Sequence, residues 1–149
     1  MLTERCQQGG ARGRQQSHKG KITTMELKGS CVCGAVAFTI TGTPGGMGQC
    51  HCARCRKLGT STMIFVKRAQ FRVTRGLDEI ATLDPEAPFT YRRSFCRKCG
   101  TGLGEPLSPD ESFPINAQCL DDDPGLRVSF HEFTDARPPW EQPEEAASG

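Results

Sequence analysis

Aromatic side chains are scarce in this chain: they make up 7% of 149 residues, with a single Trp and a single Tyr. A chain of that length is one domain and can bury a modest core. With 36% hydrophobic residues and so few rings, it has little apolar material for the purpose. Bound metal is a cross-link that supplies folding free energy directly. Long apolar runs are missing as well. No stretch approaches the length needed to span a bilayer, and the N-terminus, Met1-Leu-Thr-Glu-Arg-Cys6, lacks the apolar centre of a secretory signal. These absences lead us to expect a cytoplasmic protein with no membrane partner. Nor is one sign of charge in large excess. The net charge is +2, but residues 1–24 carry Arg5, Arg12, Arg14, Lys19 and Lys21 against Glu4, so the remainder is at −2. A slightly acidic body argues against nucleic acid as the partner.

Residues 1–24 show no hydrophobic periodicity and are rich in Gly, Gln, Arg and Lys. They read as a disordered basic tail, with Met25 a credible alternative start. The texture changes at Glu26. Val36, Phe38 and Ile40 alternate with Ala35, Ala37 and Thr39, and Met63 and Phe65 alternate with Thr62, Ile64 and Val66. Period-2 alternation of this kind marks half-buried strands. The stretches 71–75, 90–95, 115–120 and 126–133 read as further strands, and residues 53–58 as one helical turn stopped by Gly59. The sequence therefore predicts an all-β domain over residues 25–140, built of antiparallel sheets with very little helix. Residues 141–149 are expected to form a second disordered tail, with Trp140 the one anchor before it.

What the chain does have is cysteine. Seven of the nine cysteines fall into three tight groups: Cys31-x-Cys33, Cys50-x-Cys52-x2-Cys55 and Cys96-x2-Cys99. An odd count without a secretory signature points to metal or redox chemistry, not to a disulfide framework. Thiolates at C-x2-C spacing clasp a zinc ion from a single turn, and structural zinc takes four ligands. Cys31 and Cys33 with Cys96 and Cys99 supply four, and Gly100 after the second pair permits a positive φ. This makes a saturated site whose role is folding. Cys50, Cys52 and Cys55 are then left as three ligands plus an open position, the layout of a catalytic zinc. The expectation is two Zn2+ per chain. Redox-active or merely buried thiols are the alternative, and without metal the central three are close enough for a disulfide.

His51 is the obvious candidate for a fourth central ligand, but lying between two ligands its side chain is expected to point away. His131 reads as a packed or hydrogen-bonded histidine, and Cys119 as a small buried apolar residue. Arg56 and Lys57 directly follow the central group. They are either a solvated turn or the grip for an anionic substrate, since Arg matches a carboxylate with two hydrogen bonds. Arg92, Arg93 and Arg97 could extend a positive rim.

Three stretches resemble the glutathione-dependent formaldehyde-activating enzyme family, which includes the centromere-protein-V-like proteins. They are Gly29-Ser-Cys31-Val-Cys33-Gly-Ala-Val36, Cys50-His-Cys52-Ala-Arg-Cys55-Arg-Lys57 and Arg93-Ser-Phe-Cys96-Arg-Lys-Cys99-Gly-Thr101. The likeness spans about Lys28 to Trp140. It implies a tent-like, zinc-stabilised fold of antiparallel sheets, with Cys31, Cys33, Cys96 and Cys99 matching the structural zinc and Cys50, Cys52 and Cys55 the catalytic one. The implied activity is formation of S-hydroxymethylglutathione from formaldehyde and glutathione, a carbon–sulfur lyase in the reverse sense. Glutathione or another small thiol is then the small-molecule partner. A non-enzymatic zinc module for binding protein or nucleic acid is the competing reading.

Overall fold

A computed structural model describes residues 25–142; the expectations for the two tails, and for Cys6 and His18, fall outside the described residues wholly or in large part. In chain order the elements are β1 (Glu26–Ser30), β2 (Ala37–Thr41), β3 (Gly46–Cys50), α1 (Ala53–Lys57), β4 (Thr62–Lys67), β5 (Phe71–Arg75), β6 (Ile80–Leu83), β7 (Arg93–Cys96), β8 (Gly102–Gly104), β9 (Ser112–Asn116) and β10 (Val128–Glu132). The domain is all-β, as expected, with the single turn of α1 and a few 3-10 turns between strands.

Two sheets share one core. The smaller has the order β1-β2-β5, and the larger runs β10-β3-β4-β9-β8-β7-β6. Phe38 and Ile40 from β2 meet Ile64 and Val66 from β4, Leu103 from β8 and Phe113 and Ile115 from β9. Each such side chain, fully buried, contributes about 1.5–3 kcal/mol. The few rings are used economically: Phe71 stands 5.3 Å from Phe38 and 5.4 Å, edge-on, from Phe113. The alternation read in β4 has a use on both faces. Ile64 and Val66 enter the main core, while Met63 joins a separate small cluster with Cys50 and Cys55. Phe65 packs on Phe130 of β10.

Four expectations need correction. The pairings are antiparallel except one, because β10 lies parallel to β3, placing His131 opposite Gln49 and Glu132 opposite Cys50. The strand expected over 115–120 ends at Asn116, whose side chain accepts from the Gln118 N–H at 3.0 Å and starts a 3-10 turn through Cys119. The strand expected from Thr90 begins only at Arg93. Trp140 is 80% exposed on a 3-10 turn, so it anchors nothing among the described residues.

Candidate active site

The four-cysteine group is assembled by two similar turns. Gly34 and Gly100 adopt φ values of 79° and 80°, a region open to glycine at no steric cost. Their N–H groups donate back to the Cys31 and Cys96 carbonyls at 3.0 and 2.8 Å. The Cys31, Cys33, Cys96 and Cys99 sulfurs all lie within 4.8 Å of one another. Cys33 Sγ is 3.6 Å from Cys31 Sγ and 3.8 Å from Cys96 Sγ. Sulfurs bound tetrahedrally at about 2.3 Å from zinc stand roughly 3.8 Å apart, so this set fits the metal. Cys31 and Cys96 also belong to the main hydrophobic core, which makes the group a wall of that core. The Thr101 hydroxyl, 3.1 Å away, brings the Cys99 thiol down to about 5.

The central group is built differently. Cys50 ends β3, Cys52 caps α1 and Cys55 lies within it. Their sulfurs are likewise within 4.8 Å of one another, a fit for three ligands of one ion. Burial, then the neighbouring Cys52 and Cys55 thiols, push Cys50 up to about 12. Burial opposes ionisation of Cys52 too, but the Cys55 N–H at 3.3 Å and the adjacent thiols outweigh it and hold Cys52 below the ordinary thiol value.

Beside these three cysteines opens a cavity of about 240 Å³. Met63 lines it from β4, Arg54 from α1, Pro88 to Tyr91 from the β6–β7 connection, and Glu132 and Phe133 from the end of β10. Phe133 has φ 53°, an uncommon conformation for a bulky side chain, and there its ring forms part of the wall. Arg93 is the deepest cation. It is ion-paired to Glu105, both side chains being less than a tenth exposed, and its Nη2 donates toward Cys55 Sγ at 3.7 Å. Burial lifts the Glu105 carboxyl above its usual range, with the Arg93 charge pulling the other way. A wider groove of about 600 Å³ adjoins along Thr90 and Tyr91, walled by Asp84, Arg92, Glu105 and Asp110 among others. Neither cavity includes a residue of the four-cysteine group.

The remaining predicted residues take other places. Arg56 and Lys57 do not line the cavity; Arg56 Nε donates to the His51 carbonyl at 3.1 Å. His51 turns away from the thiols. Its Nε2 lies 2.8 Å from His131 Nδ1 and receives Arg137 Nη2 at 3.1 Å. Burial, then the Arg137 and His131 charges, hold its imidazole below the ordinary value. Cys119 is buried, pushed up to about 12 by that burial, and donates to the Gly102 carbonyl. The positive rim does not form as expected: Arg93 is buried, Arg92 pairs with Asp84, and Arg97 reaches Glu79. Sequence reasoning passed over Arg54, Phe89, Tyr91 and Phe133, whose relation to the cysteines is created by the fold.

Comparison with known proteins joins this arrangement to a family. Residues 26–136 match the family model described as glutathione-dependent formaldehyde-activating enzyme. The chain belongs to this family. A Halomonas elongata protein carrying the family's name as a provisional description is 27% identical over 125 residues, which is 78% of this chain and 80% of that one. A crystal structure of a Rhodobacter sphaeroides protein superposes with a TM-score of 0.55 at 26% identity, covering 69% of this chain and 98% of that one. Membership in the glutathione-dependent formaldehyde-activating family supports a function related to glutathione and formaldehyde. The two cysteine groups are each placed to hold a metal ion and are compatible with zinc. Among the described residues, no helix is long and apolar enough to cross a membrane.

Proposed function

We propose that the protein is a zinc-dependent carbon–sulfur lyase that makes and cleaves the adduct of formaldehyde with glutathione or another small thiol. One observation carries this reading: the three cysteines placed to hold one ion also line a cavity of their own. Four thiolates saturate a zinc ion and three leave room for a reactant. The chain would hold two Zn2+, a structural one on Cys31, Cys33, Cys96 and Cys99 and a catalytic one on Cys50, Cys52 and Cys55. Zinc bound at the latter supplies a lowered thiol pKa and polarisation of a carbonyl.

The protein's own groups do the rest. Arg93, fixed by Glu105, offsets thiolate charge at Cys55 through a charge-assisted contact. The Cys55 N–H does the same for Cys52. Met63, Phe89, Tyr91 and Phe133 wall the cavity with apolar surface, thinning out water and strengthening every charge interaction within it. The reaction is an addition. Sulfur's electron pair forms the C–S bond, the C=O π pair moves to oxygen, and the thiol proton ends on that oxygen.

The cavity is below the roughly 300–1,000 Å³ typical of sites that enclose a drug-sized ligand. It suits the reacting end of the thiol, with the remainder of a tripeptide such as glutathione in the adjoining groove. Arg56 and Lys57 line neither the cavity nor the groove, so the expected grip on an anionic substrate would require a ligand that extends beyond both. Clustered unpaired thiols fit a reducing cytoplasm.

The test is the rate at which the zinc-loaded protein equilibrates formaldehyde, glutathione and S-hydroxymethylglutathione, followed by exchange NMR. Acceleration above the spontaneous rate, lost in Cys52→Ser, is the expected result. A protein that neither binds glutathione nor speeds the exchange sinks the proposal.

A further inference from the structure

Two donors at the wall of the triad cavity have no acceptor within the described protein. Arg54 and Arg93 both line that cavity, and Arg54 Nη2 and Arg93 Nε are buried without a hydrogen-bond partner. Their other contacts are accounted for. Arg54 Nη1 donates to the Tyr91 carbonyl. Arg93 Nη1 donates to Glu105 and to the Arg92 carbonyl, and its Nη2 approaches Cys55 Sγ. A guanidinium offers five N–H donors and accepts nothing, and buried donors of this kind are rare enough in native proteins that each one demands a partner. Only one other side-chain atom among the described residues, Thr60 Oγ1, is in the same condition. Two buried cationic donors without a partner, on residues that line the cavity beside the three cysteines, point to an acceptor that arrives with the ligand.

We propose that Arg54 and Arg93 together receive a negatively charged oxygen of the substrate: the oxyanion that forms as sulfur adds to the carbonyl, or a carboxylate at similar reach from the sulfur. This rests on the adduct-forming function proposed above. As the C–S bond forms and the C=O π pair retreats to oxygen, full negative charge passes through that oxygen before the thiol proton reaches it. Donors aimed in advance at such a charge lower the barrier without having to reorganise.

Both guanidinium groups are held in advance. Arg93 is clamped by buried Glu105, and the planar group that carries its open Nε is the one that touches Cys55. Arg54 is tied to the β6–β7 connection through Tyr91. The Phe89 and Tyr91 rings lie 5.3 and 5.8 Å over the two guanidinium carbons. Both rings line the cavity together with the two arginines.

The test uses the zinc-loaded full chain and isothermal titration calorimetry with two thiols of equal length. Mercaptoacetate carries a carboxylate beside its thiol-bearing carbon, whereas 2-mercaptoethanol carries a neutral hydroxyl there. Mercaptoacetate is expected to bind about tenfold tighter or more. Arg54→Gln should erase most of that advantage while moving 2-mercaptoethanol less than about twofold. Arg93→Lys keeps a cation opposite Glu105 but deletes the open Nε donor, and should show the same selective loss. Equal binding of the two thiols by the wild type, or equal loss of both in the variants, overturns the arginine assignment and leaves the lyase reading standing. Binding of neither thiol overturns both.

Discussion

Arg93 and Glu105 form an ion pair with almost no access to water, and at the scale of single residues this pair governs how the site can be altered. Taking either partner away strands the other's charge, which for buried pairs typically costs about 3–5 kcal/mol. Arg93→Met should therefore lower the urea-unfolding free energy by about that amount. The double variant Arg93→Met/Glu105→Leu should recover most of it, because replacing both charges with apolar groups is often nearly neutral. The double variant should nevertheless remain poor at adduct chemistry, since Cys55 loses its charge partner. Asn116 is a second sensitive point. Its Nδ2 donates to the Gly59 and Gly102 carbonyls at 3.0 and 2.6 Å, and it is 2% exposed. Asn116→Ala should cost about 1–3 kcal/mol by leaving buried carbonyls unpaired, read as a lowered denaturation midpoint at unchanged metal content.

Among the elements, the two cysteine groups differ in what surrounds them. The knuckles around Cys31 and Cys96 are part of the main core, whereas Cys50, Cys55 and Met63 form a small cluster apart from it. Cys52→Ser should accordingly reduce zinc from two to one per chain, by metal analysis, with far-UV circular dichroism unchanged. Cys96→Ser should lose the fold along with its ion. The cysteine groups are legible in the sequence because the ligands of one metal can sit within a single turn, where spacing alone betrays them. Strand β2 is legible because Phe38 and Ile40 face one core. Strands β3 and β8 are hidden, since Gly46, Gly48, Gly102 and Gly104 leave too few side chains to show an alternation. The parallel course of β10 is hidden for another reason: pairing direction is decided by where the chain travels between residues 116 and 128, and no local pattern records that. The same holds for Phe89, Tyr91 and Phe133, which meet at the cavity from segments more than forty residues apart in sequence.

For the whole molecule the proposed zinc ions would decide the balance of stability. Small domains are stable by about 5–15 kcal/mol, and a structural zinc in a small domain contributes an apparent 10–16 kcal/mol. In a chain with so few rings in its core, removing the structural ion should unfold it. A strong chelator should abolish cooperative thermal unfolding, and zinc added back should restore it. Acid should act in the same direction, because protons compete for the thiolates; the unfolding temperature should fall as pH drops, and excess zinc should offset the fall. An ion on the four cysteines would also tie together partners 63 residues apart in sequence, so its loss would free a long loop whose closure costs conformational entropy. The three central cysteines are the opposite case, held within six consecutive residues, while the walls around them are borrowed from distant connections. Under the proposed function, metal retention and substrate preference would be encoded in separate stretches of the gene. Exchanging the 84–92 connection for another of similar length would leave the three cysteines in place and, under the proposed function, present them to a different aldehyde or thiol, which would give this scaffold a simple route to new specificities.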